Sequence, residues 1–312
     1  MKQLGNSSLS VSDLIVGGNV FGWTIGEEKS FELLDAWLAH DINTIDTSDN
    51  YSHWGTGLKG GESETVLGHW IKKRKCRSRV VIATKFGGTY SENTSRNISA
   101  AYARQAIDRS LKRLQTDYID LYQVHHDDEQ TSVEETIEVL NEFVLAGKVR
   151  AIGVSNMNAG KIAASIEYSR LHQLAAYVSI QPEYNLVFRD KYEQQYAALA
   201  EKYGLGVMPY FSLASGFLSG KYRRGEEALL QTTARKDFVR KYINDDSWKV
   251  LECLEMLSKK KNQSMASIAI RWVMQQTGVT APIVSATSIE QLHDLVSVRT
   301  FELSAGEIND LK

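Results

Sequence analysis

The chain has 312 residues, enough for two domains at about one per 150 residues or for one closed (β/α) barrel. Apolar residues make up 43% and charged residues 24%, a globular balance that excludes a disordered or collagen-like chain. Lys and Arg total 36 against 38 Asp and Glu, a formal charge of −2, which removes the electrostatic case for nucleic acid or an anionic membrane as partner.

In chain order, Lys2-Gln3-Leu4 and Leu9-Ser10-Val11 flank Gly5-Asn6-Ser7-Ser8 and predict a short hairpin that could plug a barrel floor. Short apolar runs then recur at Leu14–Val16, Thr44–Ile45, Val80–Ala83, Ile119–Val124, Val149–Val154, Tyr177–Ile180, Gly206–Tyr210 and Pro282–Val284. Continuous runs of this kind are what strands buried on both faces look like. Between them lie amphipathic stretches at Phe31–Ala39, Glu64–Ile71, Ala100–Leu114, Val133–Ala146, Ala163–Leu171 and Tyr192–Lys202. Strand-helix alternation implies parallel strands joined by crossovers, and eight runs predict a (β/α)8 TIM barrel as a single domain over 1–312. The seventh and eighth runs are separated by a long excursion. It holds a polar stretch, Lys221–Asp246, and two predicted helices, Trp248–Lys259 and Met265–Gln275.

Several classes fall away by count. Cys76 and Cys253 are too few for a disulfide framework or a cysteine-based zinc site, and three prolines make no Pro-rich linker. No run of about 18 apolar residues predicts a membrane span, and Met1–Leu9 carries no signal-peptide pattern. The expectation is a cytoplasmic protein without membrane or nucleic-acid partners; oligomeric state is not encoded in these features.

Chemistry gathers where the strands end, the face on which barrels of this type build active sites. The runs lead into Asp46, Lys85, His125, Ser155-Asn156, Gln181, Tyr210 and Ser285, so ionisable and amide groups converge on one rim. Tyr51 lies close by in sequence. A phenol is a poor proton donor near neutrality; an ammonium beside it lowers its pKa, and a carboxylate holds the ammonium. Asp46, Tyr51 and Lys85 therefore predict a tuned general acid, with His125 orienting a carbonyl oxygen that gains negative charge.

These residues resemble the aldo-keto reductase family. The matching segments are Asp46-Thr47-Ser48-Asp49-Asn50-Tyr51, Lys85, Asp120-Leu121-Tyr122-Gln123-Val124-His125, Gly153-Val154-Ser155-Asn156 and Gln181-Pro182-Glu183-Tyr184-Asn185. Pro209-Tyr210-Phe211-Ser212-Leu213 and Gly216-Phe217-Leu218-Ser219-Gly220-Lys221 follow in the family's order. The resemblance implies an NAD(P)(H)-dependent enzyme acting on a small carbonyl or alcohol substrate. Tyr51 would be the acid, Lys85 its partner, Asp46 the holder of Lys85, and His125 the orienting group. It further implies that Ser155, Asn156 and Gln181 read the nicotinamide carboxamide and that Tyr210 stacks on its ring. Ser212, Leu213 and Lys221 would lie along the pyrophosphate path, Phe211 and Gly216 would also bind the cofactor, and Ser285, Thr287 and Gln291 would stand at the 2′-phosphate positions. Phe21, Trp23, Trp54 and His126 are the candidate substrate walls.

Two departures from the pattern carry expectations. His126-Asp127-Asp128 stands where the family commonly has an aromatic and a proline, which turns one pocket wall polar and suits a hydroxylated substrate. Ser285, Thr287 and Gln291 are uncharged, so NADP(H), the family default, would lack a charge-assisted contact there, and NAD(H) or dual use becomes open.

Competing readings have their own residues. Gly55-Thr56-Gly57-Leu58-Lys59-Gly60 matches the dinucleotide G-x-G-x-x-G but does not follow a strand at once. His125-His126-Asp127-Asp128 looks like a metal cluster, although alternation along a strand would send neighbouring rings to opposite sides; no metal is expected. Ser155-Asn156 also reads as a helix N-cap. Function classes left open beside the reductase are a cofactor-binding regulatory subunit of the same fold and a metal-assisted barrel hydrolase.

Overall fold

The two-residue strands β1 (Lys2–Gln3) and β2 (Ser10–Val11) pair antiparallel, as the hairpin predicts. They belong to a computed structural model that describes residues 1–91, 94–225 and 236–311. Eight further strands follow: β3 (Ile15–Gly17), β4 (Thr44–Asp46), β5 (Val81–Phe86), β6 (Ile119–Val124), β7 (Val149–Ser155), β8 (Tyr177–Gln181), β9 (Gly206–Val207) and β10 (Ile283–Val284). All are parallel, in the order β10-β3-β4-β5-β6-β7-β8-β9. The open edges meet, because Val207 bridges Val279 in parallel and the Ile283 amide donates to Pro209 O at 2.8 Å. The fold is a (β/α)8 barrel.

The period of two along each strand decides what faces inward. Ile15, Ala83, Leu121, Ala151, Met208, Ala281 and Ile283 form the interior cluster, and Leu4 and Val11 of the hairpin pack into it from below. Two residues on from Ala83 and Leu121, the same inward face carries Lys85 and Gln123 one layer higher. Residues that alternate with them, Ile82, Tyr122 and Val124, join the larger cluster beneath the helices. Hydrophobic layers thus fill the floor and polar groups the top.

The outer ring is α1 (Glu27–Ala39), α2 (Glu62–Arg74), α3 (Ala100–Leu114), α4 (Val133–Leu145), α5 (Ala159–His172), α6 (Ala197–Tyr203), α7 (Lys236–Arg240), α8 (Asp245–Lys261), α9 (Met265–Met274), α10 (Ile289–Val296) and α11 (Ala305–Asp310). Side-chain caps fix several starts: Ser99, Ser132 and Asn158 accept the amides of Tyr102, Glu135 and Lys161. In α3 the buried residues Ala103, Ala106, Ile107, Ser110 and Leu114 recur at three- and four-residue spacing, the stripe that holds it to the barrel.

Several expectations are corrected. The seventh strand stops at Val207, and Tyr210 joins the sheet only through an isolated bridge to Glu183. The stretch predicted as one helix from Tyr192 begins with a π-helical turn, Tyr192–Tyr196, before α6. The helices α10 and α11 were not predicted; at eight and six residues they give too few periods to register. Part of the polar excursion, 226–235, lies outside the described residues. Among the described residues no helix is long and apolar enough to cross a membrane.

Candidate active site

The inward face of four strand ends places Asp46, Lys85, Gln123 and Gln181 in one buried layer. Lys85 is 0% and Asp46 1% exposed. Lys85 Nζ donates to Asp46 Oδ2 at 2.7 Å, to Thr47 O at 2.9 Å and to Tyr51 Oη at 2.8 Å, which uses all three ammonium protons. Tyr51 Oη donates to Asp46 Oδ2 at 3.1 Å. The second carboxylate oxygen, Asp46 Oδ1, accepts from Gln181 Nε2 at 2.8 Å and from Gln123 Nε2 at 3.4 Å. An ion pair buried this deeply is stabilising only if its remaining lone pairs and protons are satisfied, and here they are.

The electrostatics revise one expectation. The sequence predicts that Lys85 lowers the Tyr51 pKa. Instead, desolvation and the neighbouring Asp46 charge push the phenol well above its ordinary value, while burial pulls Lys85 below its own. Burial thus disfavours the phenolate of Tyr51 and the charged form of Lys85 alike.

His125 follows β6 directly. Its ring meets Tyr51 edge-on at 5.9 Å between centroids, and Nδ1 lies 3.0 Å from Ser48 Oγ. Burial first, then Lys85 and His126, hold its pKa well below the usual histidine value, so the ring is neutral. His126 is pushed down to about 4 by burial and by Arg96. The two imidazoles stack at 4.6 Å with 27° between planes. The alternation argument fails here because both lie past the strand end, yet stacking also turns their in-plane lone pairs away from a shared ion. Among the described residues no three His, Cys, Asp or Glu side chains gather as a ligand set.

Beyond the tetrad, Ser155, Asn156, Gln181 and Tyr210 form one hydrogen-bonded rim. Ser155 Oγ donates to Gln181 O at 2.8 Å, Asn156 Nδ2 to His125 O at 3.0 Å, and Tyr210 Oη to Asn156 Oδ1 at 2.9 Å. They border a cleft with Met157, Pro182 and Tyr196. The N-cap reading of Ser155-Asn156 is displaced by Asn158, which caps α5. Asn156 itself sits in the left-handed region at φ 47°, which Asn tolerates.

Phe211 (φ 52°), Ala214 (φ 49°) and Ser215 (φ 58°) share that region in the loop after Tyr210. Three non-glycine residues held there mark a loop over-determined by its surroundings. Ser212 Oγ donates to Pro209 O, and Leu213 is half-buried above it. Gly216 faces the Lys221 ammonium, 3.2 Å from where a Cβ would stand. At the far end Ser285 Oγ engages Gly17 O and Asn19 Oδ1, and Gln291 Oε1 accepts from both the amide and the hydroxyl of Thr287. These three side chains are neutral, and the Glu290 carboxylate beside Gln291 bonds Ser288 and faces Lys29.

Among the wall residues, Trp54 packs on Trp23 at 5.4 Å and on Tyr51 at 5.8 Å. Its indole N–H is buried and has no hydrogen-bond partner among the described residues. Phe21 does not join this wall; it is 1% exposed in the main core, and its carbonyl accepts from Ser52 Oγ. Phe238, which carries no sequence signal, meets both Trp54 and Phe211 at 6.1 Å. In the glycine-rich loop 55–60 the Glu62 carboxylate takes the Lys59 and Gly60 N–H groups at 2.7 and 2.9 Å, so these two amides are not offered to a phosphate.

A parallel barrel with an Asp-Lys-Tyr-His cluster at the C-terminal strand ends defines a class of oxidoreductase that works without a Rossmann domain. Residues 13–312 match the model of the aldo/keto reductase family. The chain is 33% identical to the uncharacterised oxidoreductase YrpG of Bacillus subtilis (strain 168), covering 96% of this chain and 90% of that protein. It is 32% identical to the aldo-keto reductase YhdN of the same organism, with 98% and 88% covered, and 30% identical to the protein tas of Escherichia coli (strain K12), with 99% and 96% covered. The protein belongs to the aldo-keto reductase family and is an oxidoreductase acting on carbonyls, in a family that generally uses NAD(P)H.

Proposed function

We propose that this single barrel domain reduces a small aldehyde or ketone to an alcohol, or runs the reverse, with Tyr51 as the proton donor. One observation carries the reading: Lys85 Nζ stands 2.7 Å from Asp46 and 2.8 Å from Tyr51 Oη, at the inner end of a rim bordered by His125. Tyr51 gives its hydroxyl proton to the substrate oxygen as negative charge develops there. Lys85 refills Oη from 2.8 Å, because a phenolate at this buried position is unfavourable and an ammonium there binds its proton less tightly than in water. Asp46 fixes Lys85, and His125, neutral, hydrogen-bonds the same oxygen. Proton supply and orientation are thus separate tasks of separate side chains.

The rim residues fit a nicotinamide dinucleotide. Ser155, Asn156 and Gln181 offer uncharged hydroxyl and amide groups suited to a primary carboxamide, beside the Tyr210 ring. Bound there, the reduced nicotinamide supplies the hydride. Lys221 and the 211–216 loop would hold the pyrophosphate. Ser285, Thr287 and Gln291 give a 2′-phosphate hydrogen bonds without charge, so NADP(H), the family default, would share the site with NAD(H). Trp54 and Phe238, which pack together, and a polar His126 would give a mixed pocket that suits a small carbonyl compound bearing hydroxyls.

The test mixes the protein with NADPH or NADH and small aldehydes and follows loss of reduced-nicotinamide absorbance. Turnover that Tyr51→Phe reduces by about 10²–10⁴-fold, with cofactor affinity kept, is the expected result. Tight cofactor binding without turnover would make the chain a regulatory subunit, and activity lost only to chelators a metal-assisted hydrolase.

A further inference from the structure

Behind His125 lies a buried polar cluster that the proton path through Tyr51 does not use. Ser48 and Asp49 are 0% and 1% exposed. Ser48 Oγ is 3.0 Å from His125 Nδ1, 2.9 Å from Asn50 Oδ1 and 3.2 Å from Asp49 Oδ1. The Asn50 amide is turned by its Nδ2 donating to Thr89 O at 3.2 Å, which leaves Oδ1 facing Ser48 as an acceptor. Gly88 packs against this cluster: a Cβ there would stand 2.4 Å from Asn50 Nδ2 and 3.1 Å from His125 Nδ1. Ser48 thus has one proton and three neighbours able to take it.

Asp49 decides among them. When it is ionised, the carboxylate is a charge-assisted acceptor and Asn50 Oδ1 a neutral one, so the Ser48 proton goes to that side. The Ser48 lone pair then faces His125, and that contact is a hydrogen bond only with the proton on Nδ1, which leaves Nε2 bare. When Asp49 is protonated it donates to Ser48 instead. The Ser48 proton is released to His125 Nδ1, a stronger acceptor than an amide oxygen, and Nε2 carries the N–H.

We propose that Ser48 and Asp49 are positioning residues for the reaction: the Ser48 hydroxyl sets which nitrogen of His125 carries the proton, and the charge of Asp49 decides where that hydroxyl points. This rests on the reading of His125 as a group that hydrogen-bonds the substrate oxygen. The conversion is a balanced shift of protons. The Asp49 proton moves to Ser48, the Ser48 proton to Nδ1, and the Nε2 proton leaves to water.

The surroundings make both states of Asp49 accessible. Its side chain accepts only two long bonds, from Ser48 at 3.2 Å and Tyr102 at 3.5 Å, and makes no ion pair among the described residues. The groups facing it are Lys85 on β5, Glu64 on α2, Arg109, Arg113 and Tyr102 on α3, and Tyr122 on β6. Arg113 is already paired with Glu64 at 2.7 Å. Burial, then Glu64, push the Asp49 carboxyl up to about 7. Burial first, then Lys85, His126, His53 and Arg96, keep the His125 ring neutral, so its tautomer rather than its charge is what changes.

The test is nitrogen-15 NMR of the full-length protein labelled at histidine, with His125 assigned by its loss in His125→Gln. In the wild type the N–H should move from Nε2 to Nδ1 as pH rises through about 7. Aldehyde turnover should fall over the same interval by about 10²-fold, the usual loss for one donor to a developing oxyanion. Asp49→Asn, neutral at every pH, should hold the Nε2–H form and abolish that pH dependence. Ser48→Ala should uncouple the tautomer from pH. A wild-type tautomer that stays fixed across the interval, or one that still moves in Asp49→Asn, overturns the proposal. A tautomer that moves as expected while Tyr51→Phe turns over at the wild-type rate leaves the coupling standing and overturns the functional reading beneath it.

Discussion

Replacing Lys85 by Met tests the proton path and the energetics of the buried layer together. The change removes the ammonium but keeps a side chain of similar length in a position 0% exposed. Asp46 then retains only Gln181 at 2.8 Å, Gln123 at 3.4 Å and Tyr51 at 3.1 Å, with no counter-charge. Breaking a buried pair from one side costs about 3–5 kcal/mol, because a buried charge is left uncompensated. Removing both charges of such a pair is often close to neutral. Asp46→Asn with Lys85→Met should therefore recover most of the stability lost in Lys85→Met, an expected difference of about 3 kcal/mol in urea unfolding. Activity should not follow stability. Both variants lack the ammonium that refills Tyr51 Oη, so both should lose about 10²–10⁴-fold in single-turnover hydride transfer. Two results would refute the reasoning: a double variant as unstable as the single one, or a Lys85→Met protein that still turns over within a few-fold of wild type.

Three further outcomes follow from particular contacts. Because the folded-state pKa of Asp49 is raised to about 7, the native chain holds a proton that the unfolded chain releases near pH 4. That contribution to stability is complete below about pH 4 and lost as pH rises through about 7; it is worth a few kcal/mol, and urea titrations of wild type and Asp49→Asn should converge in acid, separate in favour of the variant between about pH 4 and 7, and run parallel above that. Gly68→Ala should lower the melting temperature sharply, since its Cβ would stand 2.0 Å from the Arg113 carbonyl and α2 and α3 must part; relief costs about 3 kcal/mol, and an unchanged melting temperature would contradict the packing. Gln291→Arg should raise the NADPH preference over NADH by about 10-fold in a dissociation-constant titration, the effect of one charge-assisted bond to a phosphate. A ratio that does not move would place the 2′ position elsewhere.

The barrel was legible because its strands are buried on both faces and so read as continuous apolar runs, and because their polar ends fall at regular intervals. Asp46, Lys85 and Gln181 could be found that way. Gln123 could not, since a polar residue inside Ile119–Val124 gains meaning only when the inward face is known and Asp46 is seen beside it. Ser48 and Asp49 were visible in the motif, but burial and the Ser48–His125 contact depend on how the loop after β4 folds back. Phe21 was misplaced for the opposite reason: an aromatic after a strand reads the same whether it turns to the pocket or to the core. Phe238 lies in the polar excursion, where no periodicity points to a wall residue.

Asp46 and Asp49 stand three residues apart, both 1% exposed, and the structure treats them in opposite ways. Asp46 is given an ammonium, a phenol and a carboxamide as hydrogen-bond partners, so it acts as an anchor. Asp49 is given one serine hydroxyl and a distant phenol, so its charge is expensive and a proton is the cheaper neighbour. Two carboxyl groups of one loop thus take separate roles through environment alone. The anchored carboxyl belongs on the side of Tyr51, where a proton has to be delivered along one path. On the side of His125, where what matters is which nitrogen presents its hydrogen, the loop has placed the carboxyl that can change state.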